Sequence, residues 1–400
     1  MGMNDTPSGE RLHIALFGKR NAGKSSLINA ITGQDLAVVS EIKGTTTDPV
    51  SKAMELLPLG PVVMIDTPGL DDSGSLGDLR VKKAFQVLNK ADIALLVVDA
   101  QEGFSSDDQR ILERIKAKSI PYIIVMNKSD LVPAPGKADE HTIWVSSTTK
   151  ENIHQLKELI AHSVKPEGEG KRVVGDLIRQ DDVIVLVVPV DKAAPKGRLI
   201  LPQQQTIRDI LDTQATAVVC QNTTLAATLK TLNKKPAMVI TDSQVFAEVS
   251  RIVPADIPLT SFSILFARYK GNLALAVKGV AALKSLEDGD TVLISEGCTH
   301  HRQCGDIVSV KIPRWIAQNT GKKINIELSS GTEFPADLSK YKLVVHCGGC
   351  MLNEREMKYR LRCAEDEGVP ITNYGILIAY VTGILKRSVA LFPDIAALLD

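Results

Sequence analysis

The sequence predicts an α/β protein with three domains. Short apolar runs alternate with amphipathic stretches of helical period, a pattern typical of parallel strands connected by helices. The chain has 400 residues, which is more than one hydrophobic core usually spans. Two breaks interrupt the alternation, a polar glycine-rich segment at 165–172 and a proline-flanked segment at 254–258. We therefore place the domains at 1–170, 171–258 and 259–400.

In the first domain, strands and helices are predicted in alternation. The strands are at 13–17, 62–66, 93–99 and 122–127, and the helices are at 24–32, 76–90, 107–116 and 151–162. Strands that are apolar throughout are buried on both faces. This domain is therefore predicted to be a mostly parallel sheet with helices on both sides.

The other two domains are also predicted to be α/β. The second has strands at 183–188, 217–220 and 238–240 and helices at 203–211, 224–232 and 243–250. Because it carries neither a phosphate-binding motif nor an evident catalytic set, we predict an assembly or spacer role for it. The third is predicted to begin with one long helix at 262–283. Strands at 291–295 and 343–346 and helices at 353–366 and 374–385 follow.

Composition argues against several classes of protein. Basic and acidic side chains number 47 each, so the chain lacks the basic excess of a broad nucleic-acid surface. Six cysteines in a chain of this length are not a disulfide framework. The polar start lacks the apolar core of a secretion signal, and the apolar run at 374–385 falls short of the ~20 residues that span a bilayer. We expect a cytoplasmic protein with reduced thiols that binds neither nucleic acid nor membrane.

A phosphate-binding loop occupies residues 18–25, where GKRNAGKS matches the pattern G-x-x-x-x-G-K-[ST]. The loop follows a predicted strand and opens a predicted helix, which is the context that the pattern requires. Its backbone amides and the helix N-terminus favour phosphate oxygens. Lys24 is expected at the β- and γ-phosphates, and the Ser25 hydroxyl at Mg²⁺. The residues predicted at the phosphates are Gly18, Asn21, Ala22, Gly23, Lys24, Ser25 and Ser26.

Two further segments predict the chemistry at the γ-phosphate. In Asp66-Thr-Pro-Gly69, Asp66 can hold Mg²⁺ through water, and the Gly69 amide can contact the γ-phosphate. Three consecutive threonines at 45–47 lie between the loop and Asp66, and we expect Thr46 to bind Mg²⁺. The predicted catalytic residues are Lys24, Thr46, Asp66 and Gly69.

A third segment predicts the base. In Asn127-Lys128-Ser-Asp130, the Asp130 carboxylate can accept two hydrogen bonds from N1 and N2 of guanine. Adenine offers no such pair, so this motif selects GTP over ATP. A backbone amide of Ser146-Ser147 would meet guanine O6. The predicted fold class is thus an N-terminal P-loop GTPase domain followed by two smaller α/β domains.

The third domain carries a second motif set, Cys298-Thr-His300 and His346-Cys347-Gly-Gly-Cys350. Each group follows a predicted strand, and ligands collect at the carboxyl ends of strands in an open α/β sheet. Three interpretations stay open from the spacing alone. They are a [4Fe–4S] cluster with one iron free, structural zinc with three cysteines and a histidine, and a redox dithiol at Cys347 and Cys350.

The motifs of the first domain resemble the translation-factor-like GTPases of the tRNA-modification and Era group. Asn21 occupies the position where potassium-activated members carry a K⁺-coordinating asparagine. Leu70 stands where Ras-like proteins carry the glutamine that orients water. The resemblance therefore implies slow GTP hydrolysis that K⁺ stimulates.

Together with that domain, the cysteine and histidine motifs resemble the [FeFe]-hydrogenase maturation GTPases, the HydF family, over essentially the whole chain. The resemblance implies a [4Fe–4S] cluster on Cys298, Cys347 and Cys350. The fourth iron would take a labile ligand, with His300, His346 and Glu296 as candidates. It also implies a homodimer formed through the central domain.

The same resemblance implies a scaffold and carrier function. Two radical-SAM maturases would build a transient diiron precursor on this protein, which would pass it to apo-[FeFe]-hydrogenase. GTP and GDP, Mg²⁺, K⁺ and the cluster are the expected cofactors. The main alternative is a zinc-stabilised GTPase in tRNA modification or ribosome assembly, and a GTP-gated redox enzyme is a third possibility.

Overall fold

In the computed structural model, the described residues are 11–33, 49–69, 87–133, 139–164, 171–190, 199–297, 307–331, 334–335 and 337–399. The chain divides into two compact units, Met1–Glu169 and Gly170–Asp400. The predicted fold class is confirmed, since an N-terminal α/β unit with a phosphate-binding loop precedes further α/β sheets.

The first unit contains a six-stranded sheet in the order β2-β3-β1-β4-β5-β6. Its strands are β1 Leu12–Phe17, β2 Val50–Leu56, β3 Gly60–Asp66, β4 Ile93–Asp99, β5 Tyr122–Asn127 and β6 Thr142–Trp144. All neighbouring pairs are parallel except β2 and β3. The sheet therefore directs the loops after β1, β3, β4, β5 and β6 to one edge.

Helices cover both faces of this sheet, as predicted. On one face, Ile14 and Leu16 of β1 pack in a core with the helices Lys24–Thr32 and Ile153–Ser163. On the other face, Ala15 and Phe17 share a core with the helix Ser106–Ala117. The helix predicted at 76–90 lies mostly outside the described residues.

The second unit contains two four-stranded parallel sheets. The first has the order β10-β9-β7-β8, with β7 Val183–Val187, β8 Thr216–Cys220, β9 Met238–Thr241 and β10 Leu259–Ser261. The second has the order β12-β11-β13-β14, with β11 Thr291–Ser295, β12 Asn325–Ser329, β13 Leu343–His346 and β14 Ile371–Asn373. Both sheets have one topology, since the first strand of each lies between its second and third.

The helices of the second unit confirm most predicted positions. They span Leu201–Asp212, Leu225–Thr231, Phe246–Ile252, Phe262–Lys270, Leu273–Val280, Ile312–Thr320, Glu354–Asp366, Tyr374–Val381, Leu385–Val389 and Pro393–Ala396. The single helix predicted at 262–283 is wrong. The chain leaves the helical conformation at Gly271, and the Asn272 side chain caps a new helix by accepting a 3.0 Å hydrogen bond from the Leu275 amide.

One hydrophobic core joins the two sheets of this unit. It contains Leu186 and Ile240 from the first sheet and Ile294 and Val345 from the second. The helices Phe262–Lys270 and Tyr374–Val381 pack against each other within it. The boundary at 258/259 stays a prediction. Among the described residues, no helix has the length and apolar character needed to cross a bilayer.

Candidate functional site

The phosphate-binding loop follows β1 and adopts a conformation that requires glycine. A Cβ at Gly18, where φ is 142°, would lie 2.1 Å from the Val97 carbonyl oxygen. A Cβ at Gly23, where φ is 88°, would lie 2.3 Å from Nδ2 of Asn127. Asn127 Nδ2 also donates a 3.0 Å hydrogen bond to the Ala22 carbonyl. The loop is thus held between β4 and the end of β5.

Lys24 and Ser25 begin the helix after the loop. The buried Lys24 ammonium donates to the Gly18 carbonyl at 2.9 Å and to the Lys19 carbonyl at 2.7 Å. Ser25 Oγ donates to Asp66 Oδ2 at 2.6 Å. Burial raises the pKa of Asp66, although the Ser25 hydrogen bond and the Lys24 charge act in the opposite direction.

This arrangement fits the predicted magnesium ligands. A hydroxyl and a carboxylate from two segments 41 residues apart are in direct contact, and oxygen ligands are those that Mg²⁺ prefers. Thr67 Oγ1 donates to the Leu16 carbonyl at 2.6 Å and fastens the segment after β3 to β1. Gly69 ends the described stretch, whereas Thr46 and Leu70 lie outside the described residues.

The guanine side of the site is organised by Asn127. Its Oδ1 accepts hydrogen bonds from the Ser147 amide at 3.1 Å and from the Ser147 hydroxyl at 2.8 Å. Since Nδ2 bonds to Ala22, this one side chain ties the phosphate loop to the segment after β6. Ser146 is buried and its Oγ accepts from the Thr149 amide at 3.0 Å.

Lys128 and Asp130 complete that side. Lys128 Nζ lies 2.5 Å from Asp99 Oδ2, while Asp130 is exposed at the carboxyl end of β5. An exposed carboxylate there is accessible to a base. The sequence interpretation missed Asp99, although an aspartate at the end of an apolar strand was a signal for it. Asn21 is exposed and has a φ of 63°, and Ser26 is half-buried at the helix start.

The segment His346-Cys347-Gly-Gly-Cys350 lies at the carboxyl edge of the second unit's second sheet, and β11, which precedes Cys298 in the sequence, ends at the same edge. The prediction that the two cysteine motifs meet required β11 and β13 to be parallel and close. β11 and β13 are parallel neighbours, with Ser295 opposite His346, and the Cys347 amide donates to the Ser295 carbonyl at 2.9 Å. In a parallel sheet with this strand order, the topological switch point lies between β11 and β13, and a crevice forms there at the carboxyl ends of the strands.

Cys298 and His300 lie outside the described residues. Cys298 nevertheless directly follows Gly297, which is described at the end of β11. The Gly297 amide donates to Cys347 Sγ at 3.0 Å. The residue that precedes the first motif group is therefore in contact with the second group. Among the described residues alone, no three potential ligand side chains form a metal-binding group.

The Cys347 thiol is held by backbone amides. Besides Gly297, the Gly349 amide donates to Sγ at 3.3 Å. Burial raises the pKa of Cys347 to about 11, although both amides and the Arg360 charge lower it. Amides directed at sulfur stabilise a thiolate, and metal binding displaces the thiol proton. The donor set therefore fits a thiolate-ligated metal.

A buried lysine lies beneath the second cysteine of the turn. Lys270 Nζ donates to the Leu352 carbonyl at 3.2 Å and to the Cys350 carbonyl at 3.4 Å. Burial raises the pKa of Cys350, and the Lys270 charge lowers it. The sequence interpretation missed Lys270, because 80 residues separate it from Cys350 and nothing local marks it.

Two of the candidate fourth ligands are described. His346 is buried, with Nδ1 2.7 Å from the Cys347 carbonyl and Nε2 3.1 Å from Arg360 Nη1. Burial, with the Arg360 charge, lowers the pKa of His346 to about 3, so the imidazole is neutral. Glu296 is buried immediately after β11. Which group binds the fourth iron stays a prediction.

The turn offers a matched pair of glycines. We expect Gly349→Ala to lower the free energy of unfolding by about 1–3 kcal/mol, because φ is 63° and the new Cβ would lie 2.4 Å from Met357 Sδ. Gly348→Ala is the control, since nothing lies within 4 Å of a Cβ there. Denaturant unfolding of both variants would measure this, and equal stability would contradict the predicted role of Gly349.

Three family models match the chain in succession. Residues 13–128 match a 50S ribosome-binding GTPase. Residues 173–271 match the hydrogen maturase F dimerization domain, and residues 274–391 match the hydrogen maturase F tetramerization domain. The two hydrogen maturase F models together match more than half of the chain.

Two curated relatives each match less than half of the chain. The tRNA modification GTPase MnmE of Legionella pneumophila (strain Corby) is 40% identical over 161 residues, which are 39% of this chain and 35% of the relative. GTPase Der of Nitratidesulfovibrio vulgaris is 38% identical over 132 residues, 32% of this chain and 27% of the relative. The chain thus spans about a third of the length of the relatives it matches.

Among solved structures, Era from Aquifex aeolicus bound to GDP and aluminium fluoride is similar at 21% identity and a TM-score of 0.35. The matched region covers 60% of this chain and 97% of the Era chain. A GTPase domain followed by both hydrogen maturase F domains places the chain in the family of HydF-like hydrogenase maturation GTPases.

Proposed function

We propose that this chain is a GTP-hydrolysing scaffold that binds a [4Fe–4S] cluster with one open iron and passes a diiron precursor to apo-[FeFe]-hydrogenase. The observation that carries the proposal is the Cys347 thiol at the β11–β13 crevice. It accepts two backbone hydrogen bonds, and one of them comes from the residue that precedes Cys298.

Cys298, Cys347 and Cys350 would hold the cluster. A cluster on three thiolates has one iron free of protein sulfur, to which further ligands can attach. The chain's own contribution is positional. The turn after β13 fixes the direction of the Cys347 thiol through the Gly297 and Gly349 amides, and the buried Lys270 holds the backbone of Cys350.

The first unit would bind GTP with Mg²⁺. Lys24 offers its ammonium to the β- and γ-phosphates, Ser25 and Asp66 offer oxygen ligands that already touch, and Asp130 offers its carboxylate to guanine. Thr46 would complete the Mg²⁺ ligands, and the Gly69 amide would contact the γ-phosphate. Positioning and charge stabilisation at the phosphates then lower the barrier to hydrolysis.

We propose that K⁺ stimulates this hydrolysis through Asn21, whose side chain lies exposed in the phosphate loop. A cation beside the phosphates stabilises the negative charge that develops on the phosphate oxygens in the transition state. We expect the rate in K⁺ to exceed that in Na⁺ by roughly tenfold or more, at matched ionic strength. Asn21→Ala should remove the difference and keep the Na⁺ rate, and equal wild-type rates in both salts would refute a K⁺ site.

The two matched domains of the second unit support self-association. We propose that the chain forms a homodimer through the central domain. We also propose that two radical-SAM maturases deliver the diiron precursor and that apo-[FeFe]-hydrogenase receives it. GTP would act on these partner contacts, since a nucleotide shifts an equilibrium only by differential affinity for the two states.

Anaerobic purification tests the proposal directly. We expect coloured protein with about four iron atoms per chain after reconstitution, as one [4Fe–4S] cluster requires. Metal analysis and the visible absorption spectrum would measure this. A colourless protein that contains zinc would instead support a zinc-stabilised GTPase. A protein without any bound metal would leave a thiol function at Cys347 and Cys350.

A further inference from the structure

Arg360 is a fully buried arginine under the cysteine-bearing turn. It lies on the helix Glu354–Asp366, and its side chain is 0% exposed. Nε donates to Glu356 Oε1 at 2.9 Å, and Nη2 donates to the Gly331 carbonyl at 2.7 Å. The guanidinium carbon lies 5.1 Å from the centre of the Phe334 ring. Three contacts, one within its own helix and two with the segment that contains Gly331 and Phe334, thus fix the guanidinium in place.

The remaining nitrogen of this guanidinium faces the carboxyl edge of the sheet. Nη1 lies 3.1 Å from His346 Nε2 and donates to Ser295 Oγ at 3.3 Å. An arginine has no acceptor atom, so the contact with His346 requires Nε2 to be the acceptor. The ring's other nitrogen, Nδ1, lies 2.7 Å from the Cys347 carbonyl, which can only accept. These two contacts fix one tautomer, with the proton on Nδ1.

This tautomer leaves the imidazole nothing to offer a metal. A neutral imidazole has one N–H group and one lone pair, and a metal binds through the lone pair. In His346 the N–H group is used by Cys347 and the lone pair by Arg360. The histidine beside Cys347 is therefore engaged on both sides by the protein.

We propose that Arg360 is a positioning residue that withholds His346 from the cluster by occupying the lone pair through which the imidazole would bind iron. This inference rests on the proposed cluster. It removes His346 from the three candidate fourth ligands and leaves His300 and Glu296. The nearest histidine in the sequence then serves to hold the turn, and the open iron stays available to a ligand from outside this network.

Two observations argue that Arg360 does not release His346 easily. Glu356 and the Gly331 carbonyl hold the guanidinium independently of the histidine. A rotation of the imidazole toward a metal would break its bond to the Cys347 carbonyl, which belongs to a cluster ligand. The buried Arg360 donor would also lose an acceptor, and an unpaired buried donor is costly.

The test has two arms, and the first needs no metal. In the metal-free full chain, ¹⁵N NMR of labelled histidine is expected to show His346 with the proton on Nδ1, assigned by its loss in His346→Gln. In Arg360→Met, the hydrogen-bonded signature of Nε2 should be lost, and Arg360→Lys should restore it in part. A proton on Nε2 in the wild-type chain would overturn the proposal.

The second arm uses the reduced, cluster-loaded chain. Pulsed EPR with ¹⁴N- and ¹⁵N-histidine reports whether a histidine nitrogen binds iron. We expect wild type and His346→Gln to give the same nitrogen coupling, whether or not His300 contributes one. Arg360→Met should gain a coupling that Arg360→Met/His346→Gln loses.

Loss of a wild-type nitrogen coupling in His346→Gln would show that His346 is already a ligand, and it would refute the proposal even if Arg360→Met does not fold. A folded Arg360→Met chain without a new coupling would refute it as well. A chain that binds no iron would instead refute the proposed function. The NMR measurement would still show which nitrogen of His346 carries the proton. The two failures are thereby distinguishable.

Discussion

Replacing Cys347 with serine is expected to abolish cluster binding and to leave GTP hydrolysis unchanged within about twofold, because Cys347 and the nucleotide-binding residues belong to separate compact units. The thiol accepts hydrogen bonds from the Gly297 and Gly349 amides, and a serine hydroxyl cannot replace the thiolate as an iron ligand. Cys298→Ser and Cys350→Ser should give the same loss. Iron content and the rate of phosphate release from GTP would be measured on the same preparations.

Cys363→Ser is the matched control for these variants. Cys363 is half-buried on the helix Glu354–Asp366, in the same unit but outside both motifs. This variant should keep its iron. Iron retained in Cys347→Ser would remove that residue from the ligand set. Loss of hydrolysis together with iron would show that the two compact units depend on each other.

Asp130→Asn is expected to change nucleotide preference from GTP to XTP. The carboxylate would accept two hydrogen bonds from guanine, whereas an amide directs its N–H group at a guanine donor and suits the carbonyl of xanthine. The amide oxygen still accepts one of the two bonds, and a hydrogen bond to a charged group contributes about 1.5–3 kcal/mol, so the loss for GTP should be about 1.5–3 kcal/mol. That corresponds to roughly 10- to 150-fold in Kd, which titration with both nucleotides would measure.

Asp99→Asn provides the comparison for this switch. Asp99 contacts Lys128 at 2.5 Å and supports the same segment without a predicted contact to the base. The Asp99→Asn variant should lose affinity for GTP and for XTP to the same degree. If Asp130→Asn also lowered the affinity for both nucleotides equally, Asp130 would be a structural residue. The basis of guanine selection would then lie elsewhere.

The buried strands and the phosphate loop were predicted correctly, because each is determined by one continuous stretch of sequence. The strands β1, β3, β4 and β5 are continuous apolar runs, and the phosphate loop is one contiguous motif. β2 escaped prediction because its residues are mostly exposed and it pairs antiparallel at the sheet edge. The break at Gly271 was missed because apolar periodicity continues across it, and the Asn272 cap decides the outcome.

The site was predictable only where one segment carries it. The cysteines appear in the sequence as two short motifs, but the groups that surround Cys347 and Cys350 come from distant elements. Lys270 precedes Cys350 by 80 residues, and Arg360 contacts His346 from the helix Glu354–Asp366. A buried lysine or arginine has no periodic or motif signal of its own. Thr46, Cys298 and His300 stay predictions, since they lie outside the described residues.

The single core shared by the two sheets of the second unit has a thermodynamic consequence. Because Leu186 and Ile294 belong to one packed cluster, the sheets should unfold together. Any molecule that binds only the folded unit then stabilises all of it by mass action. The binding of a subunit at one sheet and the binding of iron at the other would thus both increase the same free energy of unfolding. Assembly would protect the metal-free crevice from unfolding, and metal loading would protect the assembly surface.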